Sequence, residues 1–289
     1  MLCCELSIEF ERAYMRTHLR PTTISGYLVN LNNHALPVLG KIPVDALNVH
    51  DLDNLTEALT EKGLSNKSIV YVHATVRKML NFAMKREYIS RNPYALFDLP
   101  RIRRYTYTIA PPQQLRDMLD KSLQEDLQLH AAITLAGCYG LRRGEVLGLI
   151  PGKDFNPESG ILTISRTLAI VNRKETITPC KTDNSLRSIL IAPRHRYIFT
   201  IAHGNGRRLI AYPPAMLDRY FKDFLHRHGY PDMRFHDLRH SYATWMLDKN
   251  VNPKIVSAVL GHSDVSVTLD IYSHPNVKMQ QACLDAMEE

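Results

Sequence analysis

Residues 99–112 constrain this 289-residue chain more than any other stretch, because they hold Pro100, Arg101, Arg103 and Arg104, alternating Tyr and Thr, and the Pro111–Pro112 pair. Proline fixes φ and has no backbone N–H to donate, so neither a helix nor a central strand runs through such a segment. It reads as a linker (99–112) between a first domain (1–98) and a second (113–289). The first domain reads as helical. Pro21 precedes Thr22 and Thr23, which are expected to cap a helix carrying Ile24, Tyr27, Leu28 and Leu31 and ending near Leu36 and Pro37. An acidic amphipathic stretch spans 51–61 and ends at Gly63; Ser65 and Asn66 then open a long helix to Tyr88, stopped before Pro93.

The second domain mixes periods. It reads as helical from Pro111 to Tyr139, where Gly140 breaks the pattern. Segments 161–171, 175–178 and 187–191 are rich in Ile, Leu, Val and Thr, with turn residues Asn172 and Asp183, Asn184 and Ser185 between them. They predict a small antiparallel sheet with Lys181 at a hairpin tip. Residues 192–212, with Pro193, the run from His203 to Gly206, and Arg207–Arg208, read as a loop. Helices follow at 214–228, 237–247 and 253–260, the last ended by Gly261, and Tyr272 falls on the next short helix. The tail 276–289 is amphipathic, with Val277, Ala282, Leu284 and Met287 on one side. The expected class is mainly α with a small antiparallel β-sheet, an α+β chain of two domains.

Composition narrows the partners. Lys and Arg number 36 against 29 Asp and Glu, a net charge of +7 that favours a polyanion through phosphate contacts and counterion release. Five cysteines (Cys3, Cys4, Cys138, Cys180, Cys283) form neither a CxxC pair nor an even framework, which points to free thiols in a reducing cytosol and to no structural zinc. No run of 18 apolar residues suggests a membrane span, and no charged-then-apolar start suggests secretion.

Four short segments carry candidate chemistry: GLRRGE (140–145), KTDNSLRSI (181–189), HDLRHSYAT (236–244) and LGHSDVSVTLDIYSHP (260–275). Phosphoryl transfer spreads negative charge over non-bridging oxygens, so its catalysts converge cations on the phosphate. Arg142 and Arg239 suit a bidentate clamp, because the guanidinium fork matches phosphate and stays charged. A phenol of pKa about 10 is a poor nucleophile at neutral pH, so Tyr272 needs a proton acceptor, for which His236 is the candidate. Lys181, with its pKa lowered by nearby arginines, could protonate the leaving oxygen. His262 would donate to a phosphate oxygen, and Glu145 would orient the site by hydrogen bonding.

Each piece also has a plainer reading. Arg142 and Arg143 with Glu145 could be an ordinary helix-surface pair, Lys181 a solvated lysine and Tyr272 a half-buried core residue. His236 and His240, four apart on a helix, could bind zinc, although the HExxH form is absent and Arg239 stands between them. The ensemble is more specific than its parts. In order and spacing the four segments resemble the catalytic domain of the tyrosine recombinases, the integrases of phages and conjugative transposons. LPVLGKIPV (36–44) and the run from Gly63 to Pro93 resemble the core-binding domain of the same family.

That resemblance implies that Arg142 and Arg239 bind phosphate, that Lys181 is the hairpin lysine, that His236 and His262 are the active-site histidines and that Tyr272 is the nucleophile. Glu145 matches the acidic position after the first arginine. It further implies a bacterial cytoplasmic enzyme on the nucleoid, acting as a homotetramer on double-stranded DNA attachment sites, with an accessory DNA-bending or excision factor as a possible partner. No cofactor or metal is implied, since arginines and Lys181 supply the positive charge. Arg101, Arg103 and Arg104 of the linker would track the DNA backbone, and the tail would dock on a neighbouring subunit or pack on its own domain. The core-binding pattern begins almost at Met1, where many such integrases carry an arm-binding domain first, which suggests a simple site or a shortened chain. The other readings are a chromosome-dimer resolvase, a type IB-like topoisomerase, a DNA-binding regulator without catalysis and a zinc hydrolase.

Overall fold

The computed structural model describes residues 1–102, 105, 107–171, 174–180, 185–201, 206–262 and 264–271. Arg103, Arg104, Lys181, Tyr272, the expected turn residues Asn172, Asp183 and Asn184, and the tail 276–289 lie outside the described residues. The chain divides into two compact units, Met1–Tyr105 with Ile170–Lys174, and the remainder from Thr106.

The first unit is helical. Helix α1 (Cys3–Phe10) passes through a wide turn at Glu11–Met15 into α2 (Arg16–His18), and α3 (Pro21–Asn30) passes through a second wide turn at Leu31–Ala35 into α4 (Leu36–Leu39). Two longer helices, α5 (Val49–Glu61) and α6 (Asn66–Lys85), follow. Three sequence expectations change here. Thr22 and Thr23 do not cap α3; Pro21 takes its first turn, where a missing N–H costs nothing, and Arg20 is the extended flanking residue. The helical path does not stop near Leu36 and Pro37 but reaches Leu39, because the wide turn has already interrupted the hydrogen-bond ladder where Pro37 enters. Helix α6 ends at Lys85 rather than Tyr88, with Glu87 left-handed at φ 62°. Asn48 caps α5 by accepting from His50 N, while Asp51 accepts from Asn48 N. Leu52, Leu55 and Leu59 then share one face, and Ile69, Val72, Val76, Met79 and Leu80 of α6 supply the matching face of a single core.

In the second unit the helical run expected to Tyr139 is two helices, α7 (Pro112–Glu125) and α8 (Leu127–Tyr139). Asp126 breaks it: in extended conformation it accepts from Gln128 N and Leu129 N and so caps α8. Helix α8 is buried on nearly every side, from Leu129 to Gly137, and forms the centre of the core. Short helices α9 (Arg143–Gly148) and α10 (Pro151–Asp154) lead to strands β1 (Phe155–Asn156), β2 (Ile161–Ile164), β3 (Arg166–Val171), β4 (Lys174–Pro179) and β5 (Arg187–Leu190). The single expected sheet is two. Strands β1, β2 and β5 form one antiparallel sheet, with Ile164 opposite Arg187, and β3 pairs with β4 in another. The chain changes partner at Ser165, whose carbonyl turns to accept from Cys180 N.

The expected loop at 192–212 is partly helical: Pro193–Thr200 winds as a narrow 3₁₀ helix, burying Ile198 and Phe199, the latter stacked on Phe155 at 4.0 Å. Helices α11 (Pro214–Arg227), α12 (Asp237–Asp248), α13 (Pro253–Leu260) and α14 (Ser266–Ile271) complete the unit. No helix among the described residues is long and apolar enough to cross a membrane.

One polar group in the first core fixes a proton position. His73 on α6 is fully buried. Its Nε2 lies 3.0 Å from Thr56 Oγ1, whose own hydrogen is committed to Leu52 O, so Nε2 carries the proton and donates. Nδ1 therefore accepts from Tyr94 Oη at 2.7 Å. Burial pushes the imidazole down to about 4, with Asp53 pulling weakly the other way. Because the folded pKa lies below that of a free histidine, the unfolded chain takes up the proton first as pH falls, and stability drops between about pH 6.5 and 4. Protection of α5 and α6 amides, corrected for intrinsic exchange, should weaken over that window by roughly 3 kcal/mol, and His73→Leu should flatten the dependence.

Candidate active site

The site forms where α8, α9, α12 and α13 end or begin close together. Gly140 follows α8 at φ 69°, a left-handed conformation that glycine adopts without strain. A Cβ there would meet Leu260 Cδ2 at 2.5 Å and Tyr242 Cδ1 at 2.8 Å, so the missing side chain lets α8 abut α12 and α13. Two residues on, Arg142 is the extended residue before α9. Helix α9 lies directly on β3, because a Cβ on Gly144 would strike Thr167 Oγ1 and one on Gly148 would press on the backbone of Thr167 and Leu168. The glycines of the GLRRGEVLG run therefore set where Arg142 sits.

Glu145 is the hub. Its side chain is 3% exposed. Oε1 accepts from Arg142 Nη1 at 2.7 Å and Arg187 Nη1 at 3.0 Å; Oε2 accepts from Arg142 N at 2.9 Å and Arg187 Nη2 at 2.8 Å. Burial by itself would raise this carboxyl, but the hydrogen bonds and charge of Arg187, joined by the charge of Arg142, reverse the effect and hold it at about 2.

Arg142 also donates from Nη2 to Gly261 O at 2.6 Å, tying α9 to the glycine that ends α13 at φ 68°. The Arg187 side chain is 7% exposed and donates from Nε to Val259 O at 2.6 Å. Arg239, on the first turn of α12, is 2% exposed and donates from Nη1 to Gly140 O at 2.6 Å. Its Nη2 has no hydrogen-bond partner among the described residues. Burial, then the charges of Arg142 and Arg187, push this guanidinium down to about 9, which still leaves it charged at neutral pH.

Two histidines complete the cluster. His236 stands at the start of α12, exposed to solvent as a residue although protein packs around its ring, and that packing with the charges of Arg239 and Arg234 pushes it down to about 4. His262 follows Gly261, contacts Thr268 Oγ1 through Nδ1 at 2.8 Å, and is also held at about 4, by burial and then by Arg239, Arg142 and Arg187. Both are neutral at pH 7, one able to accept a proton and the other to donate a hydrogen bond. His240 packs edge-to-face on His236 at 4.9 Å, and the Tyr107 ring lies tilted against it at 3.9 Å. Among the described residues no group of three or more His, Cys, Asp or Glu is arranged to hold a metal ion.

Of the residues singled out in the sequence, Arg142, Glu145, His236, Arg239 and His262 come together, while Lys181 and Tyr272 lie outside the described residues. Arg101 belongs to the first unit; it is exposed, and its carbonyl accepts from Asn66 Nδ2 at 3.0 Å. Arg187 was missed, since an arginine in a short strand carries no local signal of burial. Glu145→Gln should cost about 3 kcal/mol at neutral pH by leaving two arginines facing a neutral amide. The native carboxyl titrates below its free value of 4.5, so wild-type stability is lost as pH falls from about 4.5 toward 2; denaturant unfolding of the variant should lack that decline.

Two family profiles match the chain: the phage integrase family over residues 111–279, and the phage integrase N-terminal SAM-like domain over residues 5–59. Among curated relatives, tyrosine recombinase XerC of Alcanivorax borkumensis is 29% identical, covering 89% of this chain and 84% of its own. ICEBs1 integrase of Bacillus subtilis is 23% identical, covering 99% of this chain and 89% of its own. The solved structure of the Tn1549 transposon integrase in complex with transposon right end DNA superposes with a TM-score of 0.82 over the whole of both chains at 21% identity, a likeness of fold. With the family profile spanning more than half of the sequence, the chain belongs to the phage integrase family and is a DNA strand-transferring tyrosine recombinase.

Proposed function

We propose that this protein integrates or excises a mobile DNA element by cutting and rejoining attachment sites through Tyr272. The observation that carries this reading is the pair of arginines: Arg239, buried with an unpartnered Nη2, and Arg142, held by the same cluster with a third of its side chain exposed. Two guanidinium forks with donors to spare suit the non-bridging oxygens of one phosphodiester. The start of α12 adds the positive end of a helix dipole to the same place.

In the proposed cycle the Tyr272 oxygen attacks phosphorus while its proton passes to neutral His236. The P–O5′ bond breaks, Lys181 protonates the departing 5′ oxygen, and a 3′-phosphotyrosyl link remains. In the tautomer in which Thr268 Oγ1, 2.8 Å away, donates to Nδ1, His262 carries its proton on Nε2 and donates to a phosphate oxygen. A 5′ hydroxyl from the partner duplex then attacks the link, returns a proton to Lys181 and frees Tyr272 as its proton comes back from His236. No metal or nucleotide cofactor enters this cycle, because the arginines carry the charge and the covalent link stores the bond energy. Four protomers on two duplexes would exchange strands in this way, with an accessory DNA-bending or excision factor as a further partner. Residues 1–98 would clamp the duplex, and Arg101, Arg103 and Arg104 within the linker at 99–112 would follow the phosphates. Likeness to XerC relatives keeps chromosome-dimer resolution as the second reading.

Tyr272→Phe should bind DNA like wild type and form no covalent adducts. Capturing protein-linked DNA from denatured bacteria and sequencing its ends checks this: adducts at a few paired sites are expected from wild type alone, and adducts from the variant would remove Tyr272 from the nucleophile role. Paired sites at an element's ends favour integration; a single chromosomal site favours dimer resolution. Replacing Arg101, Arg103 and Arg104 by Ala should lower the slope of log affinity against log salt by roughly 2–3, read by titration at several salt concentrations on the recovered DNA.

A further inference from the structure

Glu145 is shared unequally. Arg187 grips both carboxylate oxygens with Nη1 and Nη2, whereas the Arg142 guanidinium reaches only Oε1. Exposure is unequal in the same sense: the Arg187 side chain is 7% exposed and that of Arg142 33%. A carboxylate accepts a bidentate fork on one face, so the Arg187 fork denies that geometry to Arg142. From the same side chain, Nε reaches Val259 O, three residues ahead of His262 on the backbone that presents it. The cluster thus holds one anion and three arginines, and the cation neutralised by the anion is the most enclosed of the pair bound to it.

We propose that Arg187 is a positioning residue for the phosphate site. By occupying Glu145 bidentately it limits the Arg142 guanidinium to one bond with that carboxylate and leaves its charge available to phosphate, and by holding Val259 it fixes the turn that carries His262. Without Arg187, the carboxylate turns fully onto Arg142 and competes with phosphate for it. This rests on the recombinase reading for its catalytic consequence, though not for its effect on phosphate binding.

The distinguishing feature is suppression. Arg187→Gln should lower affinity for inorganic phosphate, measured at constant ionic strength, by about tenfold, the equivalent of one lost charge-assisted contact. It should lower the yield of covalent DNA adducts in cells by at least as much. Adding Glu145→Gln removes the competing anion, so the Arg187→Gln/Glu145→Gln pair should recover most of the phosphate affinity and part of the adduct yield. Arg187→Lys, which keeps the charge and loses the fork, should fall between wild type and Arg187→Gln and guards against a variant that does not fold. A residue that merely holds the fold would give a double variant worse than either single one. That result, or unchanged phosphate affinity in Arg187→Gln, overturns the proposal. Phosphate affinities that follow the expected order while wild type forms no adducts would uphold the positioning role and count against the recombinase reading alone.

Discussion

A cluster of cations able to meet a phosphate is unstable until something holds it together, and here one buried carboxylate does so. Two unit charges 4 Å apart repel by about 4 kcal/mol at an effective dielectric of 20, and this site gathers three arginines. Glu145 offsets one charge and takes hydrogen bonds from two of them, along with the backbone N–H of Arg142. Since Arg142 opens α9 and Arg187 begins β5, the same carboxylate joins a helix start to a sheet edge. Arg142 and Arg187 each extend the connection to the end of α13 through backbone carbonyls.

The protonation states follow from that arrangement. His236, a solvent-exposed residue, and His262, half-buried, sit beside packed protein atoms in a net positive field, and both influences disfavour an imidazolium. A neutral imidazole is the form that can take a proton from a phenol or donate to a phosphate oxygen without adding another positive charge. The cation cluster therefore prepares the phosphate site and the acid–base groups together. Close packing is the other requirement: Gly140, Gly144 and Gly148 each stand where a Cβ would collide with a neighbouring element, so the distances within the site are set by side chains that are missing.

Local patterns were legible where a single short-range cause acts. The amphipathic stretch at 51–61 announced α5, Ser65 its successor's cap, and Gly140 and Gly261 the ends of α8 and α13. Patterns failed where two causes compete. The β-rich run at 161–171 looks continuous, yet its chain changes partner at Ser165, a choice made by β4 and β5 rather than by the run itself. The run from Pro111 has good helix formers on both sides of Asp126, and only the side chain of Asp126 turning to cap α8 reveals the break. Pro37 looks like a helix stop, but a wide turn just before it had already released the hydrogen bond that proline would have removed.

The sequence alone determined which chemistry is available: the order of arginines, histidines and tyrosine, and the glycines beside them, is written in four short segments. Tertiary structure decided how the charges are allotted. Whether Glu145 pairs with Arg142 or is shared with Arg187, 42 residues away, depends on β5 lying beside β2 and on α13 ending at Val259 and Gly261. Burial, not residue type, makes Arg187 a counter-charge and leaves Arg142 partly exposed. Burial depends on packing between elements distant in sequence, which no local period encodes.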